Sequence, residues 1–218
     1  MAPWLLIPVK SLTEGKSRLQ PVLDDDARRR LNQMLLMRIL AAASEFPGST
    51  RTAVISECAS VLSLAADRGV LPIRQVAGGN LNDAVSQGVE VLRAMGAETI
   101  LIVAADLPLV TSDDLMSIAA RGNEKRELVI WTDKHRSGTN ALHLPSKTAL
   151  RFQFGPDSRA AHCRQGIAAA GAVSVQFNPR IAFDIDTPED LRRWYGGLNG
   201  PGWDAVGCLE GPIAHDPI

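Results

Sequence analysis

Short apolar runs alternate with stretches of helical periodicity along most of this chain. The runs are Trp4 to Ile7, Ala53 to Ile55, Ile73 to Val76, Ile100 to Ala104, Leu128 to Trp131, Ala141 to Leu144, Val173 to Phe177 and Ile181 to Phe183. Ile100 to Ala104 contains no polar residue, the pattern of a parallel strand buried on both faces. Between runs, apolar residues recur at helical spacing: Ala27, Leu31, Met34, Leu35, Ile39 and Ala42 form one stripe, with Arg28, Arg29, Arg30 and Gln33 facing outward. This alternation predicts an α/β fold with a mostly parallel, doubly wound sheet in one domain over residues 1–195. A helix is expected from Thr111, with Asp114 completing a capping box, and a further one after the Gly78-Gly79-Asn80 turn, ending near Met95. Thr187 reads as the cap of a last helix, with Pro188 at its first position and Asp190 closing the box. From Gly196 to Ile218 the chain turns rich in Gly and Pro, a tail unable to carry its own core. Trp203 and Leu209 are its candidate anchors, on the body or on a neighbouring subunit, and a homodimer is left open.

Composition narrows the classes. With 218 residues and a formal charge of -1, the chain can build one substantial core and carries no general nucleic-acid or anionic-membrane footprint. No apolar stretch approaches the roughly 20 residues of a membrane span, and the amino terminus enters a strand pattern without a charged leader, so a cytoplasmic protein is expected. Cys58, Cys163 and Cys208 are scattered without metal-site or disulfide spacing and are expected as reduced thiols.

The candidate chemistry gathers where strands end. Asp184 and Asp186 stand one residue apart after the last apolar run, so in an extended segment both point to one side. Asp106 closes the Ile100 run. Ligands of open α/β sheets bind outside the carboxyl ends of strands, so these three acids suggest one hard-cation site, best suited to magnesium, facing a phosphorylated ligand. Taken singly, each acid would read as a solvated turn or helix-entry residue.

The loop after the first run carries Lys10, Lys16 and Arg18 around Gly15, cations suited to a nucleotide's phosphates. It matches neither the Walker A pattern nor the glycine fingerprint of dinucleotide-binding folds. Gly79, Asn80 and Asn82 suit base or ribose recognition, although an ordinary helix-entry turn would look the same. Thr139, Gly155 and Ser158 suit a small phosphorylated acid, Ser158 standing where a helix would present its positive end. His162, one turn further on, reads as a structural histidine.

At these residues the sequence resembles a known family. The order IPVK-x5-KSRL, a Gly/Asn-rich helix start, DLPL, GTNAL, FGP-x-S-x3-H and DIDTPEDL is similar to the phosphoenolpyruvate and 2-phospho-L-lactate guanylyltransferases of coenzyme F-420 biosynthesis, from about Pro3 to Trp194. The resemblance implies a Rossmann-like nucleotidyltransferase fold of the GT-A-like kind. It implies transfer of GMP from GTP to phosphoenolpyruvate, 2-phospho-L-lactate or 3-phospho-D-glycerate, with pyrophosphate released. The family's magnesium acids fall on Asp106, Asp184 and Asp186, and its phosphoenolpyruvate contacts on Thr139, Gly155 and Ser158. Lys10, Lys16 and Arg18 would then stabilise the departing pyrophosphate. Asp157 stands where the family commonly has glycine, which favours a hydroxylated acceptor such as phosphoglycerate. The rival readings are a sugar-nucleotide or molybdopterin-type transferase on the same fold and a catalytically silent nucleotide-binding subunit.

Overall fold

Seven of the eight apolar runs become strands of one sheet. The computed structural model describes residues 2–125 and 127–197. In chain order these form β1 (Trp4–Pro8), α1 (Asp25–Glu45), β2 (Thr52–Ser56), α2 (Ala59–Ala66), β3 (Leu71–Arg74), α3 (Leu81–Ala94), β4 (Ile100–Val103) and α4 (Ser112–Lys125). They continue with β5 (Leu128–Trp131), β6 (Ala141–Leu144), α5 (Ser158–Ala170), β7 (Val173–Gln176), α6 (Pro179–Ala182) and α7 (Pro188–Gly197). The sheet order is β3-β2-β1-β4-β6-β5-β7. Neighbours pair in parallel except where β6 meets β4 and β5. The mostly parallel α/β sheet is therefore as expected, with one reversed strand inside it.

Period-two alternation sorts each strand's side chains onto two cores. Leu5, Ile7, Leu101 and Val103 pack with α1, α2 and α4 on one face. Leu6, Ile100 and Ile102 pack with α3 on the other. A third, smaller cluster joins Leu19, Leu31 and Leu35 to Phe183, Ile185, Leu191 and Trp194, fixing the last helix against the start of α1. Both expected capping boxes form: Thr111 with Asp114 and Thr187 with Asp190. Among the described residues no helix is long and apolar enough to cross a membrane.

Two expectations are corrected. Ile181 to Phe183 is not a strand: Asn178 caps a single helical turn with Pro179 at its start, and the chain then runs as coil to Thr187. Arg28 does not face outward. Its side chain is buried, ion-paired with Asp25 and donating to the Gly15 carbonyl, while Asn32 donates to the Leu12 carbonyl at 2.9 Å. The amino-terminal half of α1 thus holds the Lys10–Arg18 loop in place. Helix α7 runs to Gly197, and the stretch 198–218, including Trp203 and Leu209, lies outside the described residues.

Candidate active site

β1 and β4 lie side by side, and the chain leaves them in opposite directions along the sheet, from β1 to its neighbour β2 and from β4 past β6 to β5. Their carboxyl ends therefore open a crevice at the switch in strand order. A cleft of about 1030 Å³ occupies it. Lys10, Lys16 and Arg18 line it from the loop after β1, and Asp106 from the end of β4. Asp184 and Asp186 line it from the segment before α7, and Thr139, Gly155 and Ser158 from the far wall. A smaller adjoining cavity of about 460 Å³ is lined by Gly79, Asn80, Gln75, Glu57 and Cys58, and shares Lys10 and Leu81 with the larger one.

All three acids face the cleft, Asp184 and Asp186 from coil and not from a sheet strand. Ile185 is fully buried in the third cluster, so its two neighbours turn the other way, into the cleft. The Ile185 amide donates to the Asp106 carbonyl at 3.3 Å, which seats the segment against the end of β4. Lysines fill the space between the carboxylates. Gly15 and Lys16 take left-handed backbone conformations, with φ of +99° and +49°, and this turn sends the Lys16 side chain inward. Its ammonium lies 3.1 Å from Asp106 and 3.5 Å from Asp186, and also donates to the Ile185 carbonyl. Burial disfavours that charge, but Asp106 and Asp186 outweigh it and hold the ammonium above its ordinary pKa.

Lys134, which the sequence pattern does not single out, plays the same part on the other side. It lies 3.2 Å from Asp184 and 2.8 Å from Asp190, over the Phe183 ring. It follows β5, whose carboxyl end opens on the same edge as that of β4, so the strand-end rule that selects Asp106 is the signal that would have found it. Asp184 stays hard to ionise despite that partner: burial and then Asp106 raise its pKa to about 6, against the opposing pull of Lys134. Among the described residues no three His, Cys, Asp or Glu side chains stand within reach of one metal ion. The three acids stand interleaved with two lysines.

Of the other loop cations, Lys10 is exposed, with Glu14 at 3.4 Å, and Arg18 is exposed at the cleft mouth. Gly79 and Asn80 reach the smaller cavity, but the Asn80 side-chain carbonyl oxygen is occupied as the cap of α3, accepting from the Asn82 and Asp83 amides. Asn82 faces neither cavity. Its side chain accepts from the Phe154 amide at 2.6 Å and donates to the Phe154 carbonyl at 3.2 Å, which turns the amide expected to read a base or ribose toward Phe154. On the far wall Gly155 has φ +127° and Asp157 φ +55°, so the chain turns sharply before α5. The Ser158 amide bonds back to Gly155, and the Arg159 amide to Ser137. Thr139 bonds to His162, whose ring is fully buried and whose pKa burial lowers to about 4.

The chain matches the family described as "Guanylyl transferase CofC like" over residues 4–196. Among curated relatives, the phosphoenolpyruvate guanylyltransferase of Rubrobacter xylanophilus is 38% identical over 88% of this chain and 93% of its own. That of Chloroflexus aggregans is 34% identical over 87% and 95%. Among solved structures, the 4-diphosphocytidyl-2C-methyl-D-erythritol synthase of Anaerococcus prevotii superposes with a TM-score of 0.57 over 90% of this chain and 98% of its own, at 11% identity. That last likeness speaks for the fold alone. Since the family match runs through every stretch that builds the cleft, from the Lys10 loop to the start of α7, the chain belongs to the guanylyl transferase CofC-like family.

Proposed function

We propose that this protein transfers GMP from GTP to a phosphorylated three-carbon acid, releasing pyrophosphate, in the cytoplasmic biosynthesis of coenzyme F-420. Guanylyl transfer is what its family membership and its relatives' names support. The observation that carries the reading is the single cleft that sets exposed cations and an acid cluster on one side and the Thr139, Gly155 and Ser158 wall on the other. The smaller cavity takes the nucleoside. The triphosphate then lies along the loop after β1, and the acid stands on the wall before α5.

An acceptor phosphate has its second pKa near 6, so at neutral pH its oxygen attacks the α-phosphorus without a dedicated base. The protein's work is to align the two anions and to offset their repulsion. Lys10 and Arg18, facing the cleft mouth, serve the departing pyrophosphate. Lys16, committed to Asp106 and Asp186, serves the acid cluster instead. That cluster suits a divalent cation: three carboxylates face two ammonium groups, and Asp184 is held at about 6 by burial and Asp106, a local shortage of positive charge. Two of these carboxylates, Asp184 among them, together with the substrate's own phosphate oxygens would hold magnesium, which would supply charge neutralisation there.

Pyrophosphate release measured with four nucleoside triphosphates against phosphoenolpyruvate, 2-phospho-L-lactate and 3-phospho-D-glycerate tests the reading. Release is expected with GTP and one of these acids; silence with GTP and all three would refute it. Asp157 tilts selection toward phosphoglycerate, and equal turnover of the three acids by wild type and Asp157→Gly would remove that part.

A further inference from the structure

His162 takes part in none of the roles above, yet it is fully buried and both of its ring nitrogens are engaged. Nε2 accepts the Gln153 backbone N–H at 3.1 Å, so that nitrogen carries no proton. In a neutral ring the proton then sits on Nδ1. Nδ1 lies 3.0 Å from the Thr139 hydroxyl oxygen and donates to it. A hydroxyl has one hydrogen and two lone pairs. With one lone pair filled by the ring, the Thr139 hydrogen must be given elsewhere, and among the described residues Thr139 Oγ1 has no second partner. Thr139 lines the cleft.

We propose that His162 is a positioning residue for the acceptor: its ring fixes Thr139 so that the hydroxyl hydrogen points into the cleft and donates to the phosphorylated acid. This rests on the reading that the acid binds at Thr139, Gly155 and Ser158. The tautomer is set by backbone, because a proton on Nε2 would face the Gln153 N–H. The same ring ties Thr139 to the stretch leading into Gly155, so one imidazole sets the separation of two contact points. Phe154 stiffens the arrangement, its ring edge-on to His162 at 4.8 Å and its peptide clamped by Asn82. The ring acts here by direction and not by charge, since an imidazolium would have to break the Gln153 bond.

The test separates the two nitrogens. KM for phosphoenolpyruvate and for GTP is measured by pyrophosphate release in wild type, His162→Asn, His162→Gln, Thr139→Val and the Thr139→Val/His162→Gln double variant. Asn can present an amide N–H near the Nδ1 position; Gln places its amide near Nε2 and leaves Thr139 undirected. His162→Gln should raise the acceptor KM about tenfold with the GTP KM nearly unmoved, while His162→Asn stays within about threefold of wild type. The double variant should be no worse than Thr139→Val alone. Independent, additive losses, or equal rises in both KM values, would overturn the proposal. Nitrogen NMR of the wild-type imidazole is a second test that needs no variant to fold: a proton on Nδ1 supports the proposal and a proton on Nε2 sinks it. A wild type that releases no pyrophosphate with any phospho-acid would instead strike down the function on which the proposal rests, whatever tautomer the ring shows.

Discussion

Asp184 keeps its carboxyl at a pKa of about 6 because burial, and then Asp106, disfavour its charge. Its folded value lies above the unfolded one, so ionising it works against the fold as pH rises through that interval. Asp184→Asn should therefore raise Tm at neutral pH, by about 3 °C for each kcal/mol recovered, with Lys134 still held by Asp190. The same change should cut pyrophosphate release by about a hundredfold. In thermal melts magnesium should raise the Tm of the wild type and leave the variant unmoved; an equal rise in both would refute the proposed magnesium role of Asp184. Asn82 offers a second test. Its removal leaves the Phe154 N–H and C=O without their partner, so Asn82→Ala should cost about 2 kcal/mol in urea unfolding. Its kinetic effect should fall on the acceptor KM more than on that of GTP, the reverse of what base recognition by Asn82 predicts.

Helices lie close on the sheet where glycine removes a side chain. A methyl group on Gly122 of α4 would overlap the buried His143 ring, and one on Gly88 of α3 would come within 2.8 Å of Leu6. Alanine improves helix propensity by about 1 kcal/mol, but the overlap with a rigid ring outweighs it. Gly122→Ala should thus lower the urea midpoint, with a net loss of about 2 kcal/mol. At this scale the sequence is largely legible, because burial on two faces dictates continuous apolar runs such as Ile100 to Val103. Ile181 to Phe183 misleads because three apolar residues in a row fit a strand or a helical turn equally well. Asn178 followed by Pro179 is the local sign of a helix start. Arg28 misleads for another reason: its helix face is polar, and only the fold reveals that the Gly15 loop lies over it.

Across the whole molecule, stability should be tied to acid through buried imidazoles. Burial lowers the His162 pKa to about 4 and also lowers that of His143. Both are neutral in the fold, while the unfolded chain takes up protons below about 6.5. Their contribution is complete above that value and is lost as pH falls toward the folded pKa. For His162 the loss reaches about 3 kcal/mol by pH 4, and urea midpoints between pH 8 and pH 4.5 should fall less steeply in a folded His162→Asn variant. The site is legible in the sequence as a set of strand-end residues, which is why Asp106, Asp184 and Thr139 stand out there. Which side chains spend their hydrogen bonds inside the protein is not, because that depends on partners distant in the chain. Asn82 finds its partner in Phe154 and Lys134 in Asp190.

The reversed strand β6 has a consequence for how such a molecule diversifies. Because it runs against its neighbours, the nine-residue stretch from Thr132 to Asn140 leaves the sheet and re-enters it at the same rim. Substitutions or insertions there can reshape the Thr139 wall of the cleft without displacing any strand's register. The loop after β1 has no such liberty, pinned as it is by Arg28 and Asn32. Acceptor choice should accordingly drift among descendants of this scaffold far more readily than the treatment of the triphosphate.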